Sequence, residues 1–125
     1  MKTVASALAV LFLSTAATLA AEPAMVMDSS AGKVYTDAKG MTLYTYDKDS
    51  AGKSACNGPC ATNWPPLTAA ADAKPSGEWS IVTRDDGSKM WAYKGKPLYT
   101  FAKDTKPGDT TGDGFLNGAW HLAKP

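Results

Sequence analysis

Histidine is almost missing from this 125-residue chain, cysteine occurs twice, and neither sign of charge prevails, with 13 Lys and Arg against 12 Asp and Glu. Each shortage excludes something. With His121 the only histidine to act as base and no Gly-x-Ser-x-Gly sequence, hydrolysis by a serine or cysteine nucleophile finds little support. Two cysteines and one histidine fall short of the four ligands of a structural zinc site. Without a basic surplus the chain has no electrostatic footprint for nucleic acid or anionic lipid. Long apolar runs are scarce too: the one at residues 4–13 spans roughly 10 residues, where a membrane helix needs about 20.

That run fits an export signal instead. Lys2 supplies the positive start, residues 4–13 the apolar core, and Thr18, Leu19, Ala20 and Ala21 the small-residue end, so residues 1–21 are expected to be removed after Ala20 or Ala21. No cysteine follows directly, so no lipid anchor is expected. Removal takes Lys2 away and leaves 12 residues of each sign over about 104 residues, the size of one small domain. Export puts Cys56 and Cys60 in an oxidising compartment, periplasmic or extracellular, where neighbouring thiols pair and pin a short turn. A redox couple is the alternative, but thioredoxin-type pairs have two intervening residues, and here Asn57, Gly58 and Pro59 intervene.

What the chain does have is a repetition. Gly40-Met-Thr-Leu-Tyr-Thr-Tyr-Asp-Lys-Asp49 returns as Gly95-Lys-Pro-Leu-Tyr-Thr-Phe-Ala-Lys-Asp104, with six of ten positions identical at a constant spacing of 55 residues. A period near 50 marks units that cannot bury their own apolar faces. Trp64 and Trp120 continue the correspondence after a one-residue slip, whereas the segments between differ. The scaffold is duplicated and its loops are not.

Short runs rich in Val, Ile, Thr, Tyr, Phe and Trp, separated by Gly, Asp, Asn and Pro, predict an all-β domain. Strands are expected at residues 33–37, 42–46, 79–84, 90–93, 97–101 and 118–123, with residues 22–32 as a flexible lead-in. Repeat one then covers about residues 33–68, residues 69–77 form a linker with the only helical candidate at 69–74, and repeat two covers about 78–123. Each repeat opens with a hairpin, and Asp85-Asp86-Gly87 supplies turn chemistry. Period two puts Tyr44 and Tyr46 on one face and Leu43 and Thr45 on the other, and it separates Tyr99 and Phe101 from Leu98 and Thr100 in the same way. Two aromatic rows meeting near a pseudo-twofold axis would supply much of one core.

Tyr44-Thr-Tyr46-Asp-Lys-Asp49 and Tyr99-Thr-Phe101-Ala-Lys-Asp104 resemble the defining motif of a bacterial family, the secreted repeat of unknown function, also described as predicted lipoproteins with the Yx(FWY)xxD motif. The likeness extends to Cys56-Asn-Gly-Pro-Cys60-Ala61, Trp64-Pro-Pro-Leu67, Asp86-Gly87 and Gly118-Ala-Trp120-His121, nearly all of residues 33–123. It implies an exported protein of tandem repeats, commonly lipid-anchored, with no established activity. The missing lipidation cysteine sets this chain apart.

The polar constants of the repeat, Asp49 and Asp104, have two readings: carboxylates presented symmetrically to a metal or cationic ligand, or caps of the turns that leave each strand. A calcium loop of the EF-hand type fails, because counting from Asp47 puts Ala51 at position 5 and Gly58 at position 12. Asp109 and Asp113 retain the chemistry of an irregular calcium turn, and His121, Met25 and Met27 that of a copper site. No cofactor is expected. The function expected is a non-enzymatic exported binding or structural module for an unknown envelope protein or small ligand, its specificity in the loops at 47–66 and 104–117. The alternative is a metal-binding or redox accessory protein of the cell envelope. A thiol assay on native protein is expected to find no reactive thiol, and two reactive thiols would overturn the structural disulfide.

Overall fold

A computed structural model describes residues 23–125, and the export signal expected at residues 1–21 lies outside them. Strands β1 (Met25–Ser29) and β2 (Gly32–Thr36) form an antiparallel hairpin with Met25 opposite Thr36. The lead-in is thereby corrected. Residues 25–29 lack alternation, yet their backbone is paired along its whole length by β2. The chain then turns at Gly40, whose φ of 85° disfavours any side chain, and enters β3 (Tyr44–Tyr46). The short helix α1 (Pro59–Asn63) follows the cysteine loop.

The second half repeats the plan. Strands β4 (Trp79–Thr83) and β5 (Lys89–Tyr93) form its hairpin, and the carboxylate of Asp86 closes the turn by accepting from the Ser88 N–H and hydroxyl. Gly95, with φ 82°, leads into β6 (Lys96–Pro97), and the helical turn α2 (Phe115–Gly118) precedes β7 (Trp120–Leu122). Residues 69–77 form no helix; Ala69 N–H donates to Lys89 O, and Ser76 pairs with Trp79. The strand expected at 97–101 is regular only at its start, because its next partner carries two prolines, Pro65 and Pro66, that donate no hydrogen bond.

The two units cross. β3, the motif strand of the first unit, pairs with β7 of the second, Tyr44 opposite Leu122 and Tyr46 opposite Trp120. In return the motif segment of the second unit pairs with the first: Thr100 N–H donates to Pro65 O, Ala102 N–H to Asn63 O, and Leu67 N–H to Leu98 O. The motif segments meet at Tyr44 and Tyr99, which exchange both backbone hydrogen bonds at 2.7 and 3.0 Å. That pair marks the pseudo-twofold axis.

Burial follows from the crossing. On one face the rings of Tyr46, Trp120, Trp64 and Phe101 form a continuous pile, with centroid spacings of 4.2, 3.7 and 4.0 Å. Tyr44 stands edge-on to Trp64 at 5.3 Å, and Tyr99 to Trp120 at 5.2 Å, so the pile has the symmetry of the repeat. Each such pair contributes about 0.5–1.5 kcal/mol beyond area burial. The opposite face is buried as well. Leu43 and Leu98, both fully inaccessible, pack there with Tyr35, Trp79 and Ala123. The sheet therefore has a core on each side, only one of them built from the motif aromatics. Among the described residues no helix is long and apolar enough to cross a membrane.

Gly112 fits against the pile because it lacks a side chain. A Cβ there would lie 2.6 Å from Trp64 Cη2 and 2.9 Å from Phe101 Cδ2, rings already held on other sides. Gly112→Ala is expected to cost about 1–3 kcal/mol of stability through overpacking. Urea unfolding checks this, and an unchanged midpoint would show that the pile yields freely.

Candidate functional site

The repeat carboxylates serve the opposite unit. Tyr44 Oη donates to Asp104 Oδ2 at 2.7 Å, and Tyr99 Oη donates to Asp49 Oδ2 at 2.6 Å. The second oxygen of each aspartate holds a loop of its own unit: Asp49 Oδ1 accepts from the Ala55 N–H at 2.6 Å, and Asp104 Oδ1 from the Thr111 N–H at 3.0 Å and from the Thr111 hydroxyl. Sequence reasoning anticipated a local cap and missed the crossing. Burial, and then the adjoining carboxylate, push both phenols far above the ordinary tyrosine range, so they remain donors at every physiological pH.

The cysteine loop of the first unit is held by a residue of the second, an arrangement without a counterpart on the other side. Arg84, expected at a strand end, is buried, and its guanidinium donates to Ser54 Oγ at 3.1 Å, Cys56 O at 2.8 Å and Asn57 Oδ1 at 3.3 Å. Ser54 in turn lies 2.6 Å from Tyr99 Oη. The chain Arg84, Ser54, Tyr99, Asp49 ties the disulfide loop to the axis. Cys56 and Cys60 are bonded, Cys56 fully buried and Cys60 half-buried.

The remaining candidates are scattered. Met25 is exposed on β1, while Met27 packs against Gly40 and Gly108. His121 Nε2 lies 2.9 Å from Asp47 Oδ1 at the surface. Asp109 accepts from the backbone N–H groups of Thr105 and Lys106, which holds its carboxyl below the ordinary range, and Asp113 lies exposed in the following turn. Among the described residues no three His, Cys, Asp or Glu side chains are grouped as metal ligands.

A groove of about 310 Å³ opens at the exposed side of the ring pile. The first unit contributes Tyr46, Cys60, Asn63 and Trp64, and the second Phe101, Lys103, Phe115 and Leu116. Its two sides are the unlike loops: α1 with the disulfide on one, α2 on the other. Phe115 and Leu116 are exposed, and Leu116 and Asn117 adopt left-handed backbone with φ 54° and 59°. A non-glycine residue there costs about 1–2 kcal/mol, and such strain concentrates at working parts of proteins. The sequence carried a sign of the tip in Phe115-Leu116 between glycines, an apolar pair in a loop otherwise polar, but not of the groove.

Asp49 differs from an ordinary carboxylate in a measurable way. Burial raises its pKa, against the opposing effects of the Tyr99 and Ala55 hydrogen bonds and of Arg84. The folded state therefore binds a proton more readily than the unfolded chain, so this contribution to stability is complete below about pH 4 and declines as pH rises through the raised value. Carboxyl NMR titration is expected to place Asp49 above the ordinary range, and Asp49→Asn to abolish that decline; a decline of equal size in the variant would assign it elsewhere.

The repeat seen in the structure also has a match among known families. The family model described as a secreted repeat of unknown function matches residues 25–68 and again residues 80–124. The first match begins at β1, so the hairpin and not a lead-in opens the unit. No curated protein and no solved structure gave a significant match. The two matches together cover most of the chain, which therefore belongs to the family described as the secreted repeat of unknown function.

Proposed function

We propose that this chain is a non-enzymatic binding module, exported to the bacterial periplasm or released from the cell, that holds a small ring-containing ligand in the groove beside the ring pile. The observation that carries the reading is the pairing of an aromatic groove with a strained, solvent-facing apolar tip, Phe115-Leu116, both located where the two units diverge. Ligand sites are typically concave and mostly apolar, with a few polar groups to orient the ligand, and about 310 Å³ lies at the small end of their range. Asn63, Lys103 and Tyr46 are the lining residues that carry polar groups. Binding is favoured over turnover because the Tyr and Asp groups of the motif already hold one another. The reading assigns no cofactor.

Leu116→Gly separates function from stability. It relieves about 1–2 kcal/mol of left-handed strain against roughly 0.5–1 kcal/mol of added chain entropy. The variant is therefore expected to be at least as stable as the parent in thermal unfolding. Its binding of the neutral fluorescent probe N-phenyl-1-naphthylamine is expected to be weaker, since one wall of the groove is lost. A native protein that does not bind the probe, or a variant that binds it equally well, overturns the groove as the site.

A further inference from the structure

The buried guanidinium of Arg84 has no counter-ion against it. Its hydrogen bonds go to Ser54 Oγ, Cys56 O and Asn57 Oδ1, with Met90 Sδ at 3.6 Å, all of them neutral acceptors, and among the described residues it forms no ion pair. The acids around it are engaged elsewhere. Asp49 is separated from it by Ser54 and the Tyr99 hydroxyl, Asp85 meets Asn57 Nδ2 and Lys53 at the surface, and Asp86 closes the turn between β4 and β5. A charge buried in this way is costly unless something of opposite sign meets it.

Cys56 is the group placed to become that anion. Its carbonyl already accepts from the guanidinium at 2.8 Å, and its side chain is fully buried in the bond to Cys60. Opening the bond releases a thiolate, and a neighbouring cation favours a thiolate over the neutral thiol. Cys60 differs in access: it is half-buried and lines the groove, so an external thiol reaches the bridge from its side.

The bond adds little as a staple. Only Asn57, Gly58 and Pro59 lie between the cysteines, and the chain entropy that a disulfide removes from the unfolded state is smallest for such short loops. Arg84 spans the same loop from Ser54 to Asn57, so the loop keeps an anchor when the sulfurs separate. We propose that Cys56 and Cys60 form a reversible redox couple, reduced by an extracytoplasmic dithiol of the class that protein disulfide reductases carry. A thiolate of the dithiol attacks Cys60 Sγ, a mixed disulfide forms, and the Cys56–Cys60 bond breaks with its electron pair leaving on Cys56 beside Arg84. The second thiol of the dithiol then loses its proton and attacks its own partner sulfur in the mixed disulfide, and Cys60 leaves as a thiolate that takes up a proton. The couple gains two electrons and the dithiol becomes a disulfide.

The full mature chain, reduced with dithiothreitol, tests this. It is expected to keep a dispersed NMR spectrum, and the Cβ signal of Cys56 to titrate below the ordinary thiol value of about 8.5. Glutathione caught as a mixed disulfide is expected on Cys60 by peptide mass mapping. At about pH 8, Arg84→Gln is expected to move the equilibrium with glutathione about tenfold toward the disulfide, or about 30 mV for two electrons, whereas Arg84→Lys, which keeps the charge, moves it less. A Cys56 titration at or above the ordinary value overturns the couple from the native chain alone, even where neither variant folds. Unfolding on reduction overturns it by making the bond a staple, and glutathione on Cys56 overturns the direction of attack. An unchanged equilibrium in Arg84→Gln, or an equal shift in Arg84→Lys, removes the charge of Arg84 as the cause and overturns it too.

Discussion

Everything in this fold depends on the exchange of partners between the two units. A motif strand that paired within its own unit would leave the other motif aromatics without a second layer, and a period of 55 residues would give two poor cores. Crossing gives Tyr44 and Tyr99 a shared backbone ladder at the axis and stacks Trp64 directly on Trp120. The same crossing delivers each tyrosine hydroxyl to the aspartate of the opposite unit. A hydrogen bond to a charged group of this kind contributes about 1.5–3 kcal/mol, and leaving its buried partner unmatched costs a similar amount. Register, ring packing and hydrogen bonding thus depend on one arrangement, and it requires both units.

Symmetry stops at the loops, and there the chemistry diverges. The loop of the first unit is anchored by its own disulfide and by a buried guanidinium of the second unit, Arg84, that reaches Ser54, Cys56 and Asn57. The second unit uses Thr111 and the close fit of Gly112 against the rings. One side of the groove is consequently held by a covalent link and a buried charge, while the other ends in the strained backbone of Leu116 and Asn117. In the proposed binding role, the covalently held side would fix the position of a ligand and the strained side would supply contact area.

The order of strands, the glycine-opened motifs and the aromatic rows were legible in the sequence, because they follow from spacing and turn chemistry that act within a few residues. Three features were not. Met25-Val-Met-Asp-Ser29 has no alternation to announce a strand, and it becomes one through its pairing with β2. Asp49 and Asp104 sit where a local cap is chemically complete, so nothing in the spacing says that one oxygen reaches a tyrosine 50 or more residues away. Arg84 looks like any charged residue at a strand end, and its burial depends on Ser54 and on two acceptors of the cysteine loop, known only once the loop is placed. In each case the deciding partner is distant in sequence.

The pairing of β3 with β7 also governs when the protein can come into being. β3 lies in the first unit, and its ladder partner, Trp120–Leu122, lies at the far end of the second. Tyr35 N–H waits similarly for the carbonyl of Ala123. No early fragment of the chain can close either core, and non-local β pairing of this sort is completed in about milliseconds to seconds rather than microseconds. A polypeptide that stays open until its second unit is available remains threadable, the condition that passage through a narrow translocation channel imposes on a secreted protein.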